Sequence, residues 1–359
     1  MRRTSCRIMR ADEPALTAPR LNCQTLLVYR SLGIGIRRTI IPIANSSRFG
    51  RMGLDMKIGI VGAGRVGCAC ALAAVIRGSA RTIVIVDRTR KRAEAVATDL
   101  RYGAPLCPKT TVVDGDYEDL TNSELVMITA GINEKAGGAI DRSNPKGRLR
   151  LFDTNAEIYR DVVPRIVRAA PRAVILVVTD PPDPLADTAR TSAGHDRVLS
   201  TATFLDSLRF RVHLAEHFDV DANQVEAQVI GEHGVSQVFL WSAARIARPY
   251  CRRADRQLIE ARGESLDGVR RKIENSVRYA NITIIEGNDA SQCGIGIVAA
   301  RITEMVLRDE RTVVPIGSFK NFGVTLSFRA SSDAEASSGV SSRRCQARSG
   351  RRWRRAPPT

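Results

Sequence analysis

The chain has 359 residues, 55 Lys and Arg against 38 Asp and Glu, and a formal charge of +17. At 43% hydrophobic it can build a sizeable core, which excludes wholesale disorder. Apolar runs such as Cys68 to Ile76 and Ala173 to Val178 are far too short to cross a bilayer, so no membrane partner is expected.

In chain order, residues 1–55 hold ten Arg against Asp12, Glu13 and Asp55, a net of +7. The absence of acids between 14 and 54 loosely matches a transit peptide. The plainer reading is a basic extension outside the fold, with Met56 opening the domain. Lys57 to Val61 is then a β-branched run that feeds into Gly62-Ala63-Gly64-Arg65-Val66-Gly67. Cys68 to Ile76 reads as a buried helix, and Thr82 to Val86 as a second strand closed by Asp87. Strand, G-x-G-x-x-G, helix, strand and acid form the dinucleotide fingerprint, with Asp87 twenty residues past Gly67.

Each part has a physical task. Gly62 permits the turn, Gly64 lets backbone approach a pyrophosphate, and Gly67 lets helix pack on strand. The helix N-terminus offers N–H groups and positive dipole to phosphates. Asp87 can accept from both ribose hydroxyls and would repel a 2′-phosphate, which favours NAD over NADP.

Further strands are expected at Thr110 to Val113, Leu125 to Ala130 and Ala173 to Thr179, with helices at Arg90–Arg101 and Arg148–Ala169 between them. This alternation implies an α/β fold with a Rossmann-type doubly wound parallel sheet, and a ligand at the strands' carboxyl ends.

Three segments carry further chemistry. Asp206 and Arg209 stand three apart on a helical pattern running to about Phe218, and could be no more than a surface ion pair. Gly231-Glu232-His233-Gly234 follows a strand-like run from Val225 to Ile230, so His233 is exposed and well placed. Gly147-Arg148-Leu149 follows a Gly-rich loop that begins at Gly131.

Together these residues resemble the NAD-dependent lactate/malate dehydrogenase family, and the bacterial L-lactate branch most. The marks are the Gly62–Gly67 loop, Thr129-Ala130-Gly131, Arg148 with Asn155, Asp206 with Arg209, and the Gly231–Gly234 motif. The resemblance spans about 56–328 and implies a Rossmann domain over 56–200, then a mixed α/β catalytic domain over 201–328. It implies His233 as the acid–base group and Asp206 as the carboxylate that orients it. Arg209 would grip the substrate carboxylate and Arg148 would polarise the carbonyl. The cofactor positions are Gly62, Gly64, Val66, Gly67, Asp87, Thr129 and Gly131. The reaction implied is hydride transfer between NAD(H) and a small 2-oxo acid, with a homo-oligomer, dimer or tetramer, as the working form.

Lactate is favoured over malate by Val238-Phe239-Leu240-Trp241-Ser242, and by Glu134 at the selectivity position counted from Thr129, where an acid would repel oxaloacetate; Lys135 and Arg142 are the alternatives for that position. Ser291 aligns with a substrate-side threonine. One departure is Asp180-Pro181 where the family commonly has Asn-Pro; an ionised Asp180 would repel an anionic substrate unless paired or protonated. The alternatives are another L-2-hydroxyacid dehydrogenase, malate included, or an inactive NAD-binding protein.

Arg311 to Phe328 resembles the family's late strands. Residues 329–359, a net of +6, are Ser- and Arg-rich without periodicity and are expected to be a disordered tail that replaces the family's last helix. The body between the ends carries only +4, so nucleic acid is not an expected partner. The eight Cys form no C-x-x-C pair and no zinc spacing, so no metal site is expected and a reducing, cytoplasmic location is.

Overall fold

The β-branched runs become a sheet covered on both faces. The computed structural model describes residues 56–132, 150–234, 236–246, 263–319 and 323–331. Residues 1–55, the tail beyond Ser331, Glu134 and Arg148 lie outside the described residues. The first strands are β1 (Lys57–Val61), β2 (Thr82–Val86), β3 (Thr111–Asp114), β4 (Leu125–Ile128), β5 (Val174–Val177) and β6 (Val198–Ser200). They lie parallel in the order β3-β2-β1-β4-β5-β6, with the order reversing between β1 and β4. Helices α1 (Arg65–Arg77), α2 (Arg90–Gly103), α3 (Phe152–Ala169) and α4 (Pro182–Ala193) provide the crossovers.

The strand period of two sorts side chains into two cores. Ile58, Ile60, Ile83, Ile85, Leu125 and Met127 pack with α1 and α2 on one face. Val61, Val84, Val86, Val126, Ile128 and Val177 pack with α3 and α4 on the other. Cys70 is fully buried in the first core, as expected of a small apolar residue on this helix. Cys68 is only partly buried.

The second half supplies α5 (Phe204–Phe218), β7 (Val225–Glu226), β8 (Val229–Ile230), β9 (Val238–Phe239), β10 (Arg245–Ile246), α6 (Leu266–Arg278), α7 (Ala280–Asn288), α8 (Cys293–Leu307), β11 (Val313–Phe319) and β12 (Thr325–Ser331). A third core backs α5, with Phe210 edge-on to Phe239 and Trp241 at centroid distances of 5.2 and 4.7 Å. Truncating a buried aromatic such as Phe210 to Ala costs about 3–5 kcal/mol.

Three findings correct or add to the sequence expectations. Val225 to Ile230 is not one strand: β7 pairs β10 and β8 pairs β9. At the break, the Ala227 carbonyl accepts from Arg211 Nε at 3.1 Å, so a side chain replaces a ladder partner. Second, the sequence assigned β11 and β12 to no sheet. β11 pairs antiparallel with β6, which makes one eight-stranded sheet, β12-β11-β6-β5-β4-β1-β2-β3. Third, β12 runs to Ser331, past the expected tail boundary at Arg329, because β11 offers ladder partners as far back as Val313. Among the described residues no single helix is long and apolar enough to cross a membrane.

Candidate active site

The carboxyl ends of the parallel strands carry the functional residues. After β1, Gly62 has φ +109 and donates to the Val86 carbonyl at 2.7 Å. A Cβ there would sit 2.6 Å from the Ala130 nitrogen, so only glycine fits. A Cβ on Gly67 would collide with the Gly62 carbonyl oxygen, which shows how closely α1 starts beside β1. A Cβ added at Gly64 would meet nothing within 4 Å, and no side chain caps α1. The first-turn N–H groups, including that of Val66, therefore face an open approach suited to a pyrophosphate. Thr129, after β4, donates its hydroxyl to the Gly62 carbonyl at 2.7 Å and holds the loop from behind.

Asp87 ends β2. Its Oδ2 accepts from Ala63 N–H at 2.8 Å and its Oδ1 from Thr89 N–H at 2.9 Å. The carboxylate thus braces the glycine loop while each oxygen keeps lone-pair capacity for a ribose hydroxyl. These features fit the NAD that the fingerprint implies: a glycine-lined approach, an uncapped helix and an acid at the second strand's end.

The loops after β4 and β5 are bound together. Asn155 Oδ1 accepts from Ile132 N–H and its Nδ2 donates to the Asp180 carbonyl, both at 2.9 Å. The Thr179 hydroxyl donates to the Ala130 carbonyl at 2.8 Å. Gly131 lies against both; a Cβ there would stand 2.4 Å from Thr179 Cγ2. Asp180 precedes a cis bond to Pro181, and both of its carboxylate oxygens are shielded from solvent.

The acid–base candidates come from α5 and the loop after β8. His233 Nδ1 lies 2.5 Å from Asp206 Oδ2, and Asp206 Oδ1 accepts from Arg209 Nη1 at 3.1 Å. The Asp206 side chain is 2% exposed and that of Arg209 12%, so this is no surface ion pair. His233 is also less open than expected, with a side chain 15% exposed. An anionic Asp206 fixes Nδ1–H as the donor and leaves Nε2 to exchange a proton. The buried trio offers one group to move a proton and one cation to hold a carboxylate.

Ser291 sits in the turn between α7 and α8. That turn is tied to the nucleotide loop, because Arg65 Nη1 donates to the Asn288 carbonyl at 2.9 Å and Arg65 lies 3.6 Å from Asp289. No bond joins Ser291 to the His233 cluster among the described residues. Glu134 and Arg148 lie outside the described residues, so their places in the site are not on view.

Sequence reasoning missed two buried residues under His233. Asp183, near the start of α4, accepts the His233 backbone N–H at 2.7 Å, and the Ser200 hydroxyl donates to it at 2.5 Å. Only the acid two residues past Pro181 hinted at it, and an acid in a helix's first turn is ordinary. Among the described residues no group of His, Cys, Asp and Glu could hold a metal ion.

Known proteins resemble this chain over both halves. Residues 56–199 match the model of the lactate/malate dehydrogenase NAD binding domain, and residues 203–330 that of the lactate/malate dehydrogenase alpha/beta C-terminal domain. The chain is 42% identical over 274 residues to an L-lactate dehydrogenase of Deinococcus radiodurans, covering 76% of this chain and 86% of the relative. It is 40% identical over 268 residues to an L-lactate dehydrogenase of Thermus aquaticus, covering 74% and 82%. The minor L-lactate dehydrogenase from Enterococcus mundtii, solved in a ligands-bound form, superposes with a TM-score of 0.69 at 29% identity, covering 79% of this chain and 88% of that one. Two family models that meet between β6 and α5 account for nearly the whole described fold, and the chain belongs to the lactate/malate dehydrogenase family.

Proposed function

We propose that the chain is an NAD-dependent L-2-hydroxyacid dehydrogenase of lactate dehydrogenase type, interconverting pyruvate and L-lactate. The observation that carries this reading is the buried Asp206 carboxylate shared by His233 and Arg209. That relatives carry the name L-lactate dehydrogenase supports the pyruvate reading over the oxaloacetate one.

The Gly62–Gly67 loop, Asp87, Thr129 and Gly131 would hold the cofactor, which would supply the hydride in one direction and accept it in the other. Arg209 receives the substrate carboxylate on the part of its planar fork that Asp206 does not occupy. His233 Nε2 donates its proton to the 2-oxo oxygen during reduction and removes it from the hydroxyl during oxidation. Asp206 holds the ring through Nδ1 and stabilises the imidazolium. Arg148 is assigned the polarising cation for the developing alkoxide. Ser291 and Asp180 are assigned to the substrate side, and Glu134 to rejection of a second carboxylate.

Residues 56–200 form the cofactor unit and 201–331 the substrate unit, because β12 pairs with β11 as far as Ser331, with 1–55 and 332–359 outside the working body. The working form is a homo-oligomer in the cytoplasm. The exposed Tyr102 and Leu106 supply apolar surface for a second copy.

The test offers the purified protein NADH with pyruvate, oxaloacetate and longer 2-oxo acids, following absorbance loss. Pyruvate should be the best substrate. A clear preference for oxaloacetate would move the assignment to the malate branch, and no turnover on any of them would leave an inactive NAD-binding protein.

A further inference from the structure

His233 is held by two carboxylates. Asp206 takes the ring through Nδ1, and Asp183 takes the backbone N–H of the same residue. Asp183 is 2% exposed, and its second oxygen is closed off by the Ser200 hydroxyl. Gly317 of β11 roofs the pair: a Cβ there would stand 2.7 Å from Asp183 Oδ1 and closer still to Ser200 Oγ. The consecutive elements α4 and β6 and the distant β11 thus enclose one carboxylate beneath the proton-exchanging residue.

Burying a charge costs stability, and a neutral amide of the same shape could accept the His233 N–H equally well. Desolvation pushes the Asp183 carboxyl up to about 6, against the opposing pull of the Ser200 hydroxyl, the His233 N–H and the His233 charge. A group raised above its unfolded value stabilises the fold below that value and loses the contribution as pH rises through 6. At neutral pH the ionised Asp183 therefore costs stability, which a purely structural role does not explain.

We propose that Asp183 is a positioning residue for the proposed reaction, whose carboxylate fixes the His233 backbone and whose charge supports the protonated imidazole. This rests on the acid–base role given to His233 above. The other charged groups facing His233 among the described residues are Asp206 and Arg209 from α5, and Glu232 beside it in the loop.

The test compares wild type with Asp183→Asn and Asp183→Ala in melting temperature, in kcat and KM for pyruvate across pH, and in histidine NMR titration. The chain has four His, so the His233 resonance is assignable by its loss in His233→Gln. Asp183→Asn should melt at or above the wild-type temperature at pH 7. Its kcat should fall about tenfold with KM unchanged, and the midpoint of its pH profile should move to lower pH, because a neighbouring anion has been removed. The His233 titration should move the same way while the other three stay. Asp183→Ala leaves a buried N–H and hydroxyl without their acceptor and should lose about 100-fold in kcat. An unmoved pH profile and His233 titration in Asp183→Asn would overturn the proposal, whatever its melting temperature. If Asp183→Ala does not fold, Asp183→Asn decides alone. If wild type turns over no 2-oxo acid, the reaction assignment fails, and the NMR titration still decides whether Asp183 supports the charge on His233.

Discussion

Gly231 and Ser327 exchange both of their backbone hydrogen bonds, each at 2.9 Å, and so fasten the His233 loop to β12. The Ser327 hydroxyl also lies 2.6 Å from that of Thr203, just before α5. β12 is anchored in turn by Asp187 of α4, which accepts from the Thr325 N–H and hydroxyl at 3.0 and 2.7 Å. The placement of the loop that carries the proton-exchanging residue thus depends on β12 as well as on Asp183 and Asp206.

Ser327→Pro tests this dependence. Proline removes the N–H that Gly231 accepts and breaks the exchange on one side. A drop in kcat of about tenfold or more is expected, because small misplacement of a reacting group is costly. The cofactor loop lies elsewhere, so NADH affinity, read by fluorescence titration, should stay within about twofold. Equal loss of both would mean general unfolding.

Asp206 and Arg209 should separate kinetically. Asp206→Asn removes the anion that fixes Nδ1–H and stabilises the imidazolium, and kcat should fall by about 1,000-fold. Arg209→Lys keeps the charge and loses the planar fork, so KM for pyruvate should rise about tenfold or more with a smaller change in kcat. Steady-state kinetics with the two variants checks the division of labour.

Asp87→Ser should weaken NAD and admit NADP. The change removes the repulsion of a 2′-phosphate and also the acceptor of Ala63 N–H, so the brace on the glycine loop goes with it. The ratio of kcat/KM for NAD over NADP should drop about tenfold or more. An unchanged ratio would mean that another residue reads the ribose.

Acid should find a weak point at His195. Both ring nitrogens are shielded from solvent and have no hydrogen-bond partner among the described residues. Burial, with the Arg197 charge adding to it, holds the imidazole below its ordinary range. A folded value depressed below the unfolded one gives stability that is present above about pH 6.5 and is lost as pH falls further. His195→Gln should therefore flatten the fall in melting temperature as pH drops below about 6.5. A variant curve parallel to wild type would rule this group out.

Much of the cofactor half could be read along the chain, because its signals are local: a β-branched run, three spaced glycines and an acid at the next strand's end. The pairing of Asp206 with Arg209 and His233 was legible as a family pattern, but its burial was not, since the α5 seat is built from β7, β8, β9 and α6. Asp183 and Ser200 look like an ordinary helix-start acid and a strand-end serine until Gly317 of β11 closes over them. The split of Val225 to Ile230 was hidden for the same reason, because strand propensity does not name the partner. Nor could a run of residues say that β11 joins the edge of the first sheet.

That junction decides how the molecule comes apart. The backbone bonds of β6 go to β5 on one side and to β11 on the other, so the strand that ends the nucleotide half is a shared plank. A fragment stopped at Ser200 would present a raw strand edge to any neighbour, whereas the full chain covers it with its own late residues. The two halves should consequently melt in one transition, and a nucleotide half grafted from a relative would have to match β11 as well as the cofactor.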